Sequence, residues 1–198
     1  MIISLIGFMG CGKSSVGRKL SQLLCCPFID LDEVVEARAG KSVSEIFEED
    51  GEAAFRSLEL ESLKGILCKE SARQWTPLAP SHFVGPSPYA GVLALGGGTV
   101  MTEECAELVR KNTCCIYLRA SVNTLLERLS SNTSNRPLLT RDPHAALQGA
   151  QRRGNPSLHS RIDELMSQRS STYEKTANII IDTDGKSIEQ ICSEIVRP

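Results

Sequence analysis

IISLIGFMGCGKSSVGRKL, residues 2–20, sets a short apolar run against a glycine-rich turn and then a basic, amphipathic segment. Within it Gly7 to Ser15 fits G-x-x-x-x-G-K-[ST], in the strand–loop–helix setting that gives the pattern its meaning. Glycines let the backbone curl so that successive N–H groups face inward at the positive end of a helix dipole, forming a nest for an anion. Gly10, Cys11, Gly12, Lys13, Ser14 and Ser15 are therefore the candidate nucleotide-binding residues. Lys13 brings a point charge for the β- and γ-phosphates of ATP, and the Ser14 hydroxyl suits the shell of a Mg²⁺ ion. Cys11 lies near a helix N-terminus, where a thiolate is stabilised.

Working outward, short β-like runs alternate with longer segments of helical period. IISLIG, PFIDL, GVLAL, TCCIYL and NIIIDT read as strands, and helices are predicted over 13–25, 32–39, 43–70, 102–111, 121–130, 160–175 and 186–196. That alternation predicts an α/β fold, a five-stranded parallel sheet flanked by helices on both faces. Two stretches break it. Residues 74–90 (QWTPLAPSHFVGPSPYA) hold four prolines and no helical period, and read as an inserted loop. Residues 137–168 are assigned to an inserted lid that begins in a stretch rich in Pro, Gly, Asn and Arg; His144 and His159, within it, read as solvated side chains.

A chain of 198 residues fits one domain, 1–198, around a single core. With 41% hydrophobic and 23% charged residues and a net charge of -2, it has no electrostatic case for nucleic acid or an anionic membrane as partner. It opens on a strand-like run with no basic leader, and no stretch is long enough to span a bilayer, so a cytoplasmic monomer is expected. The eight cysteines lack C-x-x-C spacing and read, in the main, as reduced apolar fillers rather than a zinc or disulfide framework.

Carboxylates choose the chemistry. FIDLDEV ends the second strand, and extended backbone would point Asp30 and Asp32 to one side. Asp30 could hold water of the Mg²⁺ shell, and Asp32 could accept the proton of an attacking hydroxyl; capping of the next helix by either is the plainer alternative. In DGEAAFRSLELESL, Arg56 and Glu59 at i, i+3 share a helix face. The pair suits a carboxylate-binding fork held by an acid, and it equally suits a surface ion pair.

GFMGCGKSS, FIDLDEV, AGKSVSEIFEEDGEAAFRSLE, LALGGGTV, NRPLL and RSSTYEKTANIIIDT, in that order, make the chain resemble the shikimate kinases over nearly its whole length. The resemblance implies a P-loop NTP hydrolase-like fold with an inserted lid, and ATP- and Mg²⁺-dependent phosphorylation of the 3-hydroxyl of shikimate. It implies that Asp32 binds shikimate hydroxyls and acts as base, with Lys13 and Arg136 as its catalytic partners. Asp30 would sit near the metal with Ser14. Arg56 and Arg169 would hold the acceptor carboxylate and Glu59 would support Arg56, within acceptor-binding helices over 32–70. Gly96, Gly97 and Gly98 would leave the sheet edge bare for the acceptor ring. Arg136 would reach the phosphates from the lid, and Arg128 would lie against adenine. Where relatives often carry Arg-x-Pro-Leu-Tyr, this chain has Arg169-Ser-Ser-Thr-Tyr173, which keeps the arginine and the tyrosine. A kinase for another small hydroxylated acid such as gluconate, and a nucleotide-binding regulatory module, are the competing readings; the second lacks the guanine-reading N-K-x-D pattern.

Overall fold

All five residues of β1 (Ile2–Ile6) are buried, as an apolar strand covered on both faces requires. Residues 1–67, 89–130 and 158–196 are described by the structure, a computed structural model. β1 pairs in parallel with β3 (Gly91–Ala94) on one side and β4 (Thr113–Arg119) on the other. β2 (Phe28–Asp30) lies outside β3 and β5 (Ile179–Asp182) outside β4, giving the parallel order β2-β3-β1-β4-β5. The five strands are those predicted.

The helices are α1 (Lys13–Leu24), α2 (Leu31–Ala39), α3 (Val43–Glu45), α4 (Gly51–Leu67), α5 (Glu103–Asn112), α6 (Val122–Ser130), α7 (Leu158–Thr176) and α8 (Ile188–Val196). Alternating strand side chains divide the core between the two faces of the sheet. Ile2, Ile6, Leu93 and Tyr117 pack with Leu31 and Val35 of α2, Phe55 and Leu63 of α4, and Val109 of α5. Ile3, Leu5, Val92, Ile116 and Leu118 pack with Val16 and Leu20 of α1, Leu125 of α6 and Ile191 of α8. Helix α7 gives Ile162 to the second cluster and Tyr173 to the first. The helix ends follow local chemistry: α5 begins with Glu103 and Glu104 and ends with Arg110 and Lys111, matching its dipole.

One predicted helix is divided. Over 43–70, Ser42 and Glu45 form a capping box that starts α3; a π-helical turn over Ile46–Asp50 follows, and Gly51, at φ 83°, closes it before α4. Residues 68–70, like most of 74–90, lie outside the described residues; Tyr89 and Ala90 lead into β3. Of the expected lid, 137–157, with His144, lies outside them too, and 158–168 is the first part of α7, where His159 is exposed.

Seven cysteines are described and all are free. Burial pushes the Cys26, Cys105 and Cys115 thiols up to about 11, which keeps them protonated as apolar filler. No helix among the described residues is long and apolar enough to cross a membrane.

Candidate active site

Parallel strands bring their carboxyl ends to one edge, so three connections gather there: the loop after β1, Asp30 after β2 and the glycine turn after β3. They open onto one cavity of about 770 Å³. Gly10, Cys11, Gly12, Lys13, Ser14, Ser15, Asp30, Asp32, Arg56, Glu59, Gly96, Gly97, Gly98, Arg128 and Arg169, predicted from the sequence, all line it. Arg136 lies outside the described residues.

The loop has the backbone its motif requires: Gly10 and Gly12 take φ of 82° and 101°, a region that side chains with a Cβ enter at a cost. Lys13 Nζ donates to the carbonyls of Gly7 and Phe8 at 2.8 and 3.1 Å, which fixes the ammonium over the hollow of the loop. Cys11 is only 1% exposed and packs in the core cluster with Leu125 and Leu129, so its side chain belongs to the core. Arg128 Nη1 donates to the Cys11 carbonyl at 3.0 Å and its Nη2 to the Thr183 carbonyl at 3.2 Å, tying the loop to the turn after β5. Lys186, Ile188 and Ile191 line the cavity as well.

Asp30 and Asp32 depart from the extended expectation. The strand stops at Asp30, which caps α2: its Oδ1 accepts from Asp32 N at 3.2 Å, and its Oδ2 accepts from Ser14 Oγ at 2.7 Å. A cap at the strand end satisfies an otherwise orphaned helix N–H, so the plainer alternative holds for Asp30 and the Ser14 contact holds with it. Asp32 stands in the first turn of α2. Burial, reinforced by the charges of Asp30 and Glu59 and opposed by Lys13, raises its carboxyl from 3.8 to about 6.

Across the cavity Arg56 Nη1 donates to Glu59 Oε2 at 2.7 Å and Nη2 reaches Glu52 Oε1 at 3.4 Å. Glu59 is 1% exposed, which sets the pair apart from a surface bridge. Glu59 Oε1 accepts from Thr99 Oγ1 at 2.6 Å. Arg169 lies 5.8 Å above the Phe8 ring centroid, and Tyr173, one helical turn on, donates its hydroxyl to the Gly97 carbonyl.

The glycine turn gives its space to the protein's own side chains. A Cβ on Gly96 would stand 2.8 Å from Asp32 Oδ1 and 3.2 Å from Glu59 Oε1, and one on Gly98 would stand 2.5 Å from Arg56 Nη2. At Gly96 and Gly98 the absent methyls let the carboxylates and the arginine close against the turn, and all three glycines line the cavity. Gly96→Ala should therefore displace Asp32 and cut kcat by about tenfold or more, since small misplacements of reacting groups are costly; steady-state kinetics beside an unfolding curve would show it.

Thr99 and Glu52 were missed in the sequence, and Tyr173 was noted there only as a retained residue, without its contact. Glu52 had a signal, its i, i+4 spacing to Arg56. The partners of Thr99 and Tyr173, 40 and 76 residues away, come together only in the fold.

A phosphate loop after the central strand of this parallel sheet, facing a second set of charged groups across one cavity, defines the small-molecule P-loop kinases. The chain belongs to the shikimate kinase family. The family model described as shikimate kinase matches residues 9–72 and 86–198. The shikimate kinase of Thermodesulfovibrio yellowstonii is 38% identical over 98% of this chain and 92% of its own. The solved shikimate kinase of Acinetobacter baumannii in complex with shikimate is similar with a TM-score of 0.74 at 27% identity, covering 98% of this chain and 90% of that one. That of Bacteroides thetaiotaomicron gives 0.72 at 28% identity, over 98% and 96%.

Proposed function

We infer that the protein transfers the γ-phosphoryl group of ATP to the 3-hydroxyl of shikimate, giving shikimate 3-phosphate and ADP, on the route to chorismate and the aromatic amino acids. The observation that supports this best is the shared cavity: the anion cradle of Lys13 and the carboxylate-reading fork of Arg56 face it together, with Asp32 near both. Family membership supports the choice of acceptor.

In this reading the loop N–H groups and Lys13 bind the ATP phosphates, with Arg128 and the turn after β5 on the base side. Arg56, held by Glu59, and Arg169 bind the acceptor carboxylate and so fix which hydroxyl meets the phosphate. Asp32 accepts the proton of that hydroxyl, and Arg136 joins Lys13 on the transferring group. Phosphoryl transfer asks mainly for alignment and fixed positive charge, which these groups supply. Ser14 Oγ and Asp30 Oδ2, one hydroxyl and one carboxylate oxygen 2.7 Å apart beside the loop, are the sparse hard-oxygen set that Mg²⁺ takes from proteins. When bound, Mg²⁺ supplies positive charge to the phosphates there, held by Ser14 and, through water, Asp30. The near-neutral net charge of -2 supports a small-molecule partner over nucleic acid or an anionic membrane.

A coupled ADP-release assay with shikimate, quinate, gluconate and nucleoside monophosphates tests the reading. Shikimate should win in kcat/KM by more than about tenfold, or about 1.4 kcal/mol; turnover independent of shikimate, or preference for another acceptor, would sink it. The same assay across pH should show kcat/KM falling below about 6, where Asp32 gains its proton, with Asp32→Glu moving the limb.

A further inference from the structure

We propose that two buried hydroxyls, those of Tyr173 and Thr99, form a strut through the glycine turn that sets the spacing between Arg56 and Arg169. The proposal rests on reading those arginines as the two ligands of the acceptor carboxylate.

The strut can be followed atom by atom. Arg169 rides on α7 four residues before Tyr173, whose fully buried hydroxyl donates to the Gly97 carbonyl. The turn is stiffened by its own backbone bonds, Thr99 N to the Gly96 carbonyl at 3.2 Å and Met101 N to the Gly98 carbonyl at 3.0 Å. Thr99, also fully buried, passes from the turn to Glu59 Oε1 at 2.6 Å, and Glu59 Oε2 receives Arg56 Nη1 at 2.7 Å. Every side-chain link is a hydrogen bond sheltered from water or made to a charged group, the kinds that hold geometry best. Two arginines on separate helices can grip one carboxylate only if their separation is held, and this path of bonds joins the elements that carry them.

Tyr117 supplies an internal control. Its ring lies 5.0 Å from that of Tyr173, it is 1% exposed, and its hydroxyl has no hydrogen-bond partner among the described residues. The two rings are in contact, and of the two hydroxyls that of Tyr173, which also meets Arg169, is the one joined to the turn. Ring packing is common to both tyrosines, whereas the bond to the turn belongs to Tyr173.

Tyr173→Phe and Thr99→Val should each raise the acceptor KM about tenfold and leave the ATP KM within about twofold. Thr99→Ser, which keeps the hydroxyl, and Tyr117→Phe should stay near wild type. Because the two links lie in series, the Tyr173→Phe/Thr99→Val double variant should approach the larger single effect instead of their product. In the ligand-free protein, amide hydrogen exchange at residues 97–101 should quicken in Tyr173→Phe and not in Tyr117→Phe. Multiplying effects, equal behaviour of the two tyrosine variants, or unchanged exchange in Tyr173→Phe would overturn the strut. Failure of the wild type to phosphorylate shikimate would refute the acceptor reading by itself, while exchange on ligand-free protein still decides the strut.

Discussion

With Asp32 as the proposed base, Asp32→Asn should lower kcat by about 10²–10⁴-fold, the usual worth of a positioned base, and at neutral pH it should make the ligand-free protein more stable. Both effects have one origin. The folded protein holds the Asp32 carboxyl at about 6, against 3.8 for the free side chain, because burial and the charges of Asp30 and Glu59 oppose ionisation. The unfolded chain releases that proton near 4 and the folded protein only near 6, so the stability that protonated Asp32 contributes is whole below pH 4 and is lost as pH rises through 6. Asparagine does not titrate. Its advantage in urea unfolding should be absent at pH 4 and reach about 1–3 kcal/mol above pH 7, since each pKa unit is about 1.4 kcal/mol. Near-normal kcat would remove Asp32 as the base; a stability gain of equal size at both pH values would show that the buried charge of Asp32 is not its source.

Arg56→Ala should act on binding and on folding together. Loss of the fork should raise the acceptor KM by about a hundredfold or more with little change for ATP, since a charged, bidentate contact is removed. It also leaves Glu59, 1% exposed, without its cationic partner, and an uncompensated buried charge costs about 3–5 kcal/mol. Thermal unfolding of Arg56→Ala, and of the Arg56→Met/Glu59→Leu pair, separates the two effects. The apolar pair should recover most of the stability and none of the acceptor affinity. Equal KM effects on both substrates would take Arg56 out of the acceptor site.

The fold was legible because its signals are local. An apolar run, a phosphate loop and a helix of 3.6 period can each be seen within twenty residues, and five such runs in alternation leave a parallel sheet as the simple solution. The division of 43–70 was hidden, since Glu48, Glu49 and Asp50 fit a helix well and only Gly51 marks the break. Asp30 and Asp32 were found, but their geometry was missed: a strand period was carried two residues past the point where a capping carboxylate ends the strand. Tyr173 was noted only as a retained residue and Thr99 not at all. Nothing near them in sequence signals their partners, Gly97 and Glu59, which only the fold sets beside them.

That side-by-side placement has a metric consequence. The phosphate loop leaves β1 and the glycine turn leaves β3 at neighbouring rungs, with Leu5 opposite Ala94 and Leu95 N bonded to the Leu5 carbonyl at 3.0 Å. Adjacent strands stand about 4.8 Å apart, a length set by peptide geometry and shared by every sheet. In the proposed reading, donor and acceptor would thus be carried by adjacent strands of one sheet, at a spacing set by the backbone rather than by side chains. On that reading, changes on α4 and α7 would retune acceptor preference without moving the strand ends that carry the two sites.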